Sequence, residues 1–122
     1  SNAFALAKIY SAAATVTDGI RLLEDETLRA ATVPQSTGPL KFESQTGPFP
    51  VWGNGFLLDV PDFKAMLGPS SFGHDGLGGQ IAFGDFEHRI GFAYVSSYLA
   101  SGPDEMFRQQ QLVRKLQDVL DD

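Results

Sequence analysis

The strongest constraint on the fold lies between residues 80 and 98. Gln80 to Asp85 alternates, with Ile81 and Phe83 on one side and Ala82 and Gly84 on the other. Ile90 to Tyr98 alternates again, with Ile90, Phe92 and Tyr94 set against Gly91, Ala93 and Val95. Successive side chains leave a strand on opposite faces, so period-two alternation marks half-buried strands. The five residues DFEHR between the two runs suit a hairpin loop. The small residues on one face predict a helix lying close against it.

A final helix should cover this sheet. Gly102-Pro103-Asp104-Glu105 gives a helix start with proline at the first position and acids in the first turn. Met106, Val113, Leu116 and Leu120 then recur at helical steps, with Leu112 and Val119 beside them. The opposite face carries Arg108, Gln109, Arg114, Lys115 and Asp118. Upstream, FALAKIYSAAA (residues 4 to 14) reads as a helix broken by Asp18-Gly19, and a short helix is expected from Asp25 or Glu26 to Ala31. Residues 32 to 50, with Pro34, Gly38, Pro39, Gly47, Pro48 and Pro50, read as one long loop. VWGNGFLLD (51 to 59) returns to β character around a Gly-Asn kink. Residues 60 to 70 connect, and Ser71 to His74 predicts a short strand before a glycine cluster. Two helices, then strands, then a helix indicate an α+β fold: an antiparallel sheet packed against a C-terminal helix and N-terminal helices.

Composition narrows the function. Ser1-Asn2-Ala3 has the look of a cloning scar and is set aside from the fold argument, leaving residues 4–122 as one unit. With 43% hydrophobic and 20% charged residues the chain is of the globular class. A formal charge of -6 argues against a nucleic-acid surface, which needs clustered Lys and Arg. No run of about 20 apolar residues exists to span a membrane. There are no cysteines, which excludes disulfides, thiolate zinc sites and a cysteine nucleophile. The two histidines, His74 and His88, form no i,i+4 metal pair, and no cofactor or metal is implied. His88, in the expected hairpin loop, reads as a solvated turn residue. The sequence leaves the compartment open.

FGHDGLGGQ, residues 72 to 80, holds the glycine cluster. A dinucleotide fingerprint would place a third glycine where Ile81 stands and would open a helix, yet a strand follows. A phosphate-binding Gly-Lys-Ser/Thr loop is absent. Taken alone, the glycines mark a bulge or a close backbone approach, and His74 alone reads as a packing residue. No serine lies in Gly-x-Ser-x-Gly or Ser-x-x-Lys, and no tyrosine lies in Tyr-x-Asn.

The block FGHDGLGGQIAFGDFEHRIGFAYVSSYL, residues 72 to 99, resembles the C-terminal part of the serine β-lactamase and penicillin-binding-protein superfamily. Within it, the block is most similar to the class C-like branch that also holds esterases and β-lactamase-domain proteins. FALAKIYSAAA, DGIRLLEDETL and FPVWGNGFLLD resemble the segments that precede this block. Phe86 stands where the branch usually has proline. The resemblance implies a partial β-lactamase/transpeptidase-like fold. It places His74-Asp75-Gly76 in the third catalytic motif, with His74 facing substrate from an edge strand. It implies that Gly76 lets the strand approach the substrate and that the Leu77 N–H is one oxyanion-hole donor. The implied chemistry is acyl-enzyme hydrolysis of a small ester or amide. Since Ser-x-x-Lys and Tyr-x-Asn are missing, the chain is expected to be the C-terminal portion of a longer hydrolase, inactive alone. The alternative is a non-catalytic binding or scaffold module that kept the fold. Either way, an incomplete sheet is expected to expose an edge and to favour a homo-oligomer through that edge or an exchanged helix.

Overall fold

The computed structural model describes residues 1–39 and 46–121, so part of the expected long loop, 40 to 45, lies outside the described residues. The chain begins with helix α1, Ala3–Ala14. Asn2 caps it, its side-chain oxygen accepting from the Ala5 N–H at 2.8 Å. Residues set aside in the sequence reading thus open the first helix. The helix ends at Ala14, where Thr15 turns extended. Asp18 and Gly19 then take positive φ in a turn bridged by Thr17 and Ile20. Helix α2 spans Asp25–Ala31, with Asp25 and Glu26 in its first turn.

The sheet has six strands in the order β1-β2-β3-β4-β5-β6, and every pairing is antiparallel. Strands β1 (Ser36–Thr37), β2 (Val51–Trp52) and β3 (Leu57–Leu58) are two residues each. The Gly-Asn kink is the turn of a hairpin between β2 and β3, closed by the Gly53 N–H on the Phe56 carbonyl at 2.9 Å. Among its described residues the long loop therefore holds one short strand, β1, which pairs with β2.

Strand β4 spans Ser71–Gly76, β5 Gln80–Asp85 and β6 Ile90–Tyr94. β4 is longer than expected because Gly76 still pairs with Gln80, leaving only Leu77 to Gly79 for the turn. β6 is shorter than expected. The Ser96 hydroxyl bonds the Tyr98 N–H and carbonyl, each at 3.0 Å, so local bonds replace the ladder.

The β5–β6 register puts Ile81 opposite Tyr94 and Phe83 opposite Phe92, with Ala82 on Ala93 and Gly84 on Gly91. The sheet thus has one large-residue face and one small-residue face. α1 lies on the small face so closely that a Cβ at Gly91 would stand 2.0 Å from the Ala7 carbonyl oxygen. Ala13, Ala14, Leu28, Leu58 and Phe72 form the core on that side. The other face meets helix α3, Phe107–Leu120, through Val113 packed with Leu57, Met66, Ile81 and Phe83.

The helix start is split. Gly102–Asp104 forms a 3-10 turn, and α3 proper begins at Phe107. The expected faces of α3 need one correction. Gln109 is fully buried and donates its side-chain N–H to the Gln80 carbonyl at 3.4 Å, whereas Leu112 and Val119 are exposed.

Candidate active site

His74, Asp75 and Gly76 are the last three residues of β4, and Leu77 starts the turn to β5. β4 is an inner strand of the sheet, not the edge strand expected. The pairing explains how it still presents an open side. β3 pairs only with Phe72 and Gly73, so His74 to Gly76 have a ladder partner on the β5 side alone.

The turn after them is built by glycine. The Gly79 N–H closes it on the Gly76 carbonyl at 3.2 Å. Gly79 has φ +91, and a Cβ there would stand 1.9 Å from the Glu105 carbonyl oxygen. Glu105 also accepts the Gly78 N–H on Oε1 at 3.1 Å. The paired glycines therefore let the turn pass under the segment that leads into α3. Gly76 differs: a Cβ there would meet only the Gln80 Cβ at 3.7 Å, an ordinary contact. The chain leaves open space over Gly76.

Leu77 is 76% exposed, and its N–H has no hydrogen-bond partner among the described residues. The His74 side chain is 58% exposed. Its ring lies 5.3 Å from that of Trp52, and its Nδ1 bonds the Asp75 carbonyl oxygen. A carbonyl only accepts, so Nδ1 is the donor, and in the neutral ring Nε2 carries the lone pair. Asp75 is ion-paired with Lys64. Trp52, Lys64 and Glu105 belong to this environment, and no sequence motif marks them. They come from a two-residue strand, a connection and a helix lead-in.

The larger clefts lie elsewhere. One of about 610 Å³ is lined by Asp59, Met66, Gln110 and Arg114 among others, and one of about 640 Å³ by Tyr94, Leu112 and Lys115 among others. His74, Gly76 and Leu77 line neither. They form a wall, open on one side. In the first cleft, burial raises the Asp59 carboxyl above its usual range, although it accepts the Met66 N–H at 2.6 Å.

A second polar cluster gives His88 a role. Asp85 is fully buried at the end of β5. Its Oδ2 accepts from Ser70 and Ser71 at 2.8 and 2.7 Å, and its Oδ1 accepts the His88 N–H and ring Nδ1, both at 2.9 Å. His88 is thus an exposed turn residue, as expected, that also clamps the hairpin onto Asp85. Burial works to raise the Asp85 carboxyl, but the bonds from His88, Ser71 and Ser70 outweigh it and hold it below the usual range.

No family model matches the chain, and no curated protein matches it. Solved structures do. EstA from Arthrobacter nitroguajacolicus Rue61a aligns over 98% of the chain with a TM-score of 0.77 and 26% identity. The chain has the β-lactamase-like fold. A family VIII carboxylesterase aligns over 94% with a TM-score of 0.71 at 22% identity. A penicillin-binding protein homologue from Caulobacter crescentus aligns over 81% with a TM-score of 0.66 at 30% identity. This β-lactamase-like chain spans 33%, 31% and 26% of those three proteins, about a third of their length or less. No helix among the described residues is long and apolar enough to cross a membrane.

Proposed function

We propose that this β-lactamase-like chain supplies one wall of an acyl-transfer site in a longer serine hydrolase acting on a small ester or amide. The observation that carries this reading is the exposed end of β4: the Leu77 N–H without a partner, beside His74 and open space over Gly76. In acyl transfer a serine oxygen attacks the carbonyl carbon, and negative charge gathers on the carbonyl oxygen. An N–H already aimed at that oxygen lowers the barrier by roughly 3 kcal/mol. The Leu77 amide is the donor proposed here, and His74 faces the substrate with Nε2 free to accept a proton. The nucleophile and the second oxyanion donor belong to the remainder of the hydrolase.

The test is hydrolysis of p-nitrophenyl esters and nitrocefin by this chain. No turnover is expected, because the sequence holds no Ser-x-x-Lys and no Tyr-x-Asn. Turnover that a serine-directed acylating probe abolishes would contradict the proposal.

A second reading, a binding or scaffold module that kept the fold, is favoured by that same missing nucleophile. The natural reading frame separates the two. A Ser-x-x-Lys well upstream supports the hydrolase, and a start codon near Phe4 supports the module. Under both readings β6 is the edge through which a second copy associates. Among the described residues it has a sheet neighbour on one side only, and Ile90–Tyr94 contains neither proline nor charge.

A further inference from the structure

We propose that Lys64 is a positioning residue for the His74 imidazole, acting through Asp75. The inference rests on reading His74 as part of the proposed acyl-transfer site, and its test is independent of that reading. Lys64 sits in a tight turn, where its N–H and carbonyl bond Val60 at 2.9 and 3.2 Å. Its Nζ pairs with Asp75 Oδ2, and the two side chains are only 18% and 19% exposed. A pair so shielded is screened less than a surface pair. It fixes where the Asp75 carboxylate points and what charge that carboxylate presents.

The consequence falls on the neighbouring ring. Asp75 Oδ1 stands 3.8 Å from His74 Nδ1, too far for a hydrogen bond. Nδ1 bonds the Asp75 main-chain carbonyl instead. Trp52 flanks the ring at 5.3 Å, and Ala82 lies across from His74 on β5. Among the described residues, Asp75 is the charged group against His74, and Lys64 is the cation against Asp75.

Lys64 therefore does two things. It holds the carboxylate away from Nδ1, which leaves the carbonyl to set the tautomer and Nε2 to keep its lone pair. It also neutralises a carboxylate that would otherwise favour the doubly protonated imidazolium. A chain without Lys64 would present a larger share of protonated, non-basic His74 near neutral pH.

His74 and His88 are the only histidines, which gives a clean internal control. Diethyl pyrocarbonate acylates the unprotonated ring, and peptide mass spectrometry resolves the two sites. At pH 6.5, Lys64→Met should lower the His74 rate about twofold. The His88 rate should stay unchanged, and Lys64→Arg should restore His74. Amide spectra and thermal unfolding establish that the variants fold. An unchanged His74 rate in folded Lys64→Met overturns the proposal, as does an equal fall at both histidines. A second measurement needs no variant. Ring nitrogen-15 shifts of the unsubstituted chain at pH 7.5 should show His74 protonated at Nδ1, and protonation at Nε2 overturns the proposal. Neither result bears on whether a serine stands opposite His74, which a substrate-analogue complex of the full-length hydrolase decides separately.

Discussion

Asp85 is the residue whose surroundings make the sharpest demand on pH. Four hydrogen bonds reach one buried carboxylate, from Ser70, Ser71 and both donors of His88. These bonds hold its folded-state proton affinity below that of the unfolded chain. The stability it contributes is therefore complete above the usual aspartate range and is lost as pH falls through the depressed folded value. Asp59 acts in the opposite sense. Its carboxyl is raised by burial, so ionising it costs stability at neutral pH, and acid relieves that cost. Asp85→Asn keeps the shape but replaces one acceptor oxygen by a donor. Urea unfolding should show a loss of about 3 kcal/mol at pH 7. The gap between variant and parent should narrow below about pH 4, where the aspartate too becomes protonated. A gap that stays constant down to pH 2 contradicts this account of the clamp.

The contact of α1 with the sheet depends on one missing side chain. A Cβ at Gly91 would lie 2.0 Å from the Ala7 carbonyl oxygen and 2.4 Å from the Ser11 nitrogen, both backbone atoms that cannot rotate away. Gly91→Ala should lift α1 from β6 and cost about 3 kcal/mol, read by thermal or urea unfolding. A variant as stable as the parent would mean that the helix packs less closely. This contact was legible in the sequence, because Ala82, Gly84, Gly91 and Ala93 repeat every second residue. The hairpin, α1, α2 and the C-terminal helix were legible for similar reasons of period and capping. The β character of 51 to 59, where β2 and β3 form, was legible too, but β1 was not, since two residues inside a proline- and glycine-rich stretch are too few to show a period. Gln109 was misread by its residue type, and the clamp role of His88 was not visible. Each is a polar side chain whose partner, Gln80 or Asp85, is fixed only by the fold. At the candidate site, His74, Gly76 and Leu77 were reached through family resemblance. Lys64 and Trp52 were out of reach, because nothing local in the sequence ties them to His74.

For the whole molecule, the sheet order gives the next expectation. β6 ends the sheet as a five-residue edge, while β1 at the other end has two residues. An uncharged, proline-free edge favours pairing with another copy, and the net charge of -6 opposes it. Light scattering at micromolar concentration should give a dimer or larger species, and added salt should strengthen it by screening the repulsion. A monomer at all salt concentrations contradicts the edge assignment. The proposed function makes the exposed end of β4 part of the oxyanion hole in a longer hydrolase. A crystal structure of the full-length protein with a phosphonate trapped on its serine tests it most directly. The account predicts the phosphonyl oxygen about 2.7–3.1 Å from the Leu77 nitrogen, the span of an oxyanion-hole donor. A trapped phosphonate whose oxygen takes its hydrogen bonds elsewhere, with the Leu77 N–H turned away, would contradict it.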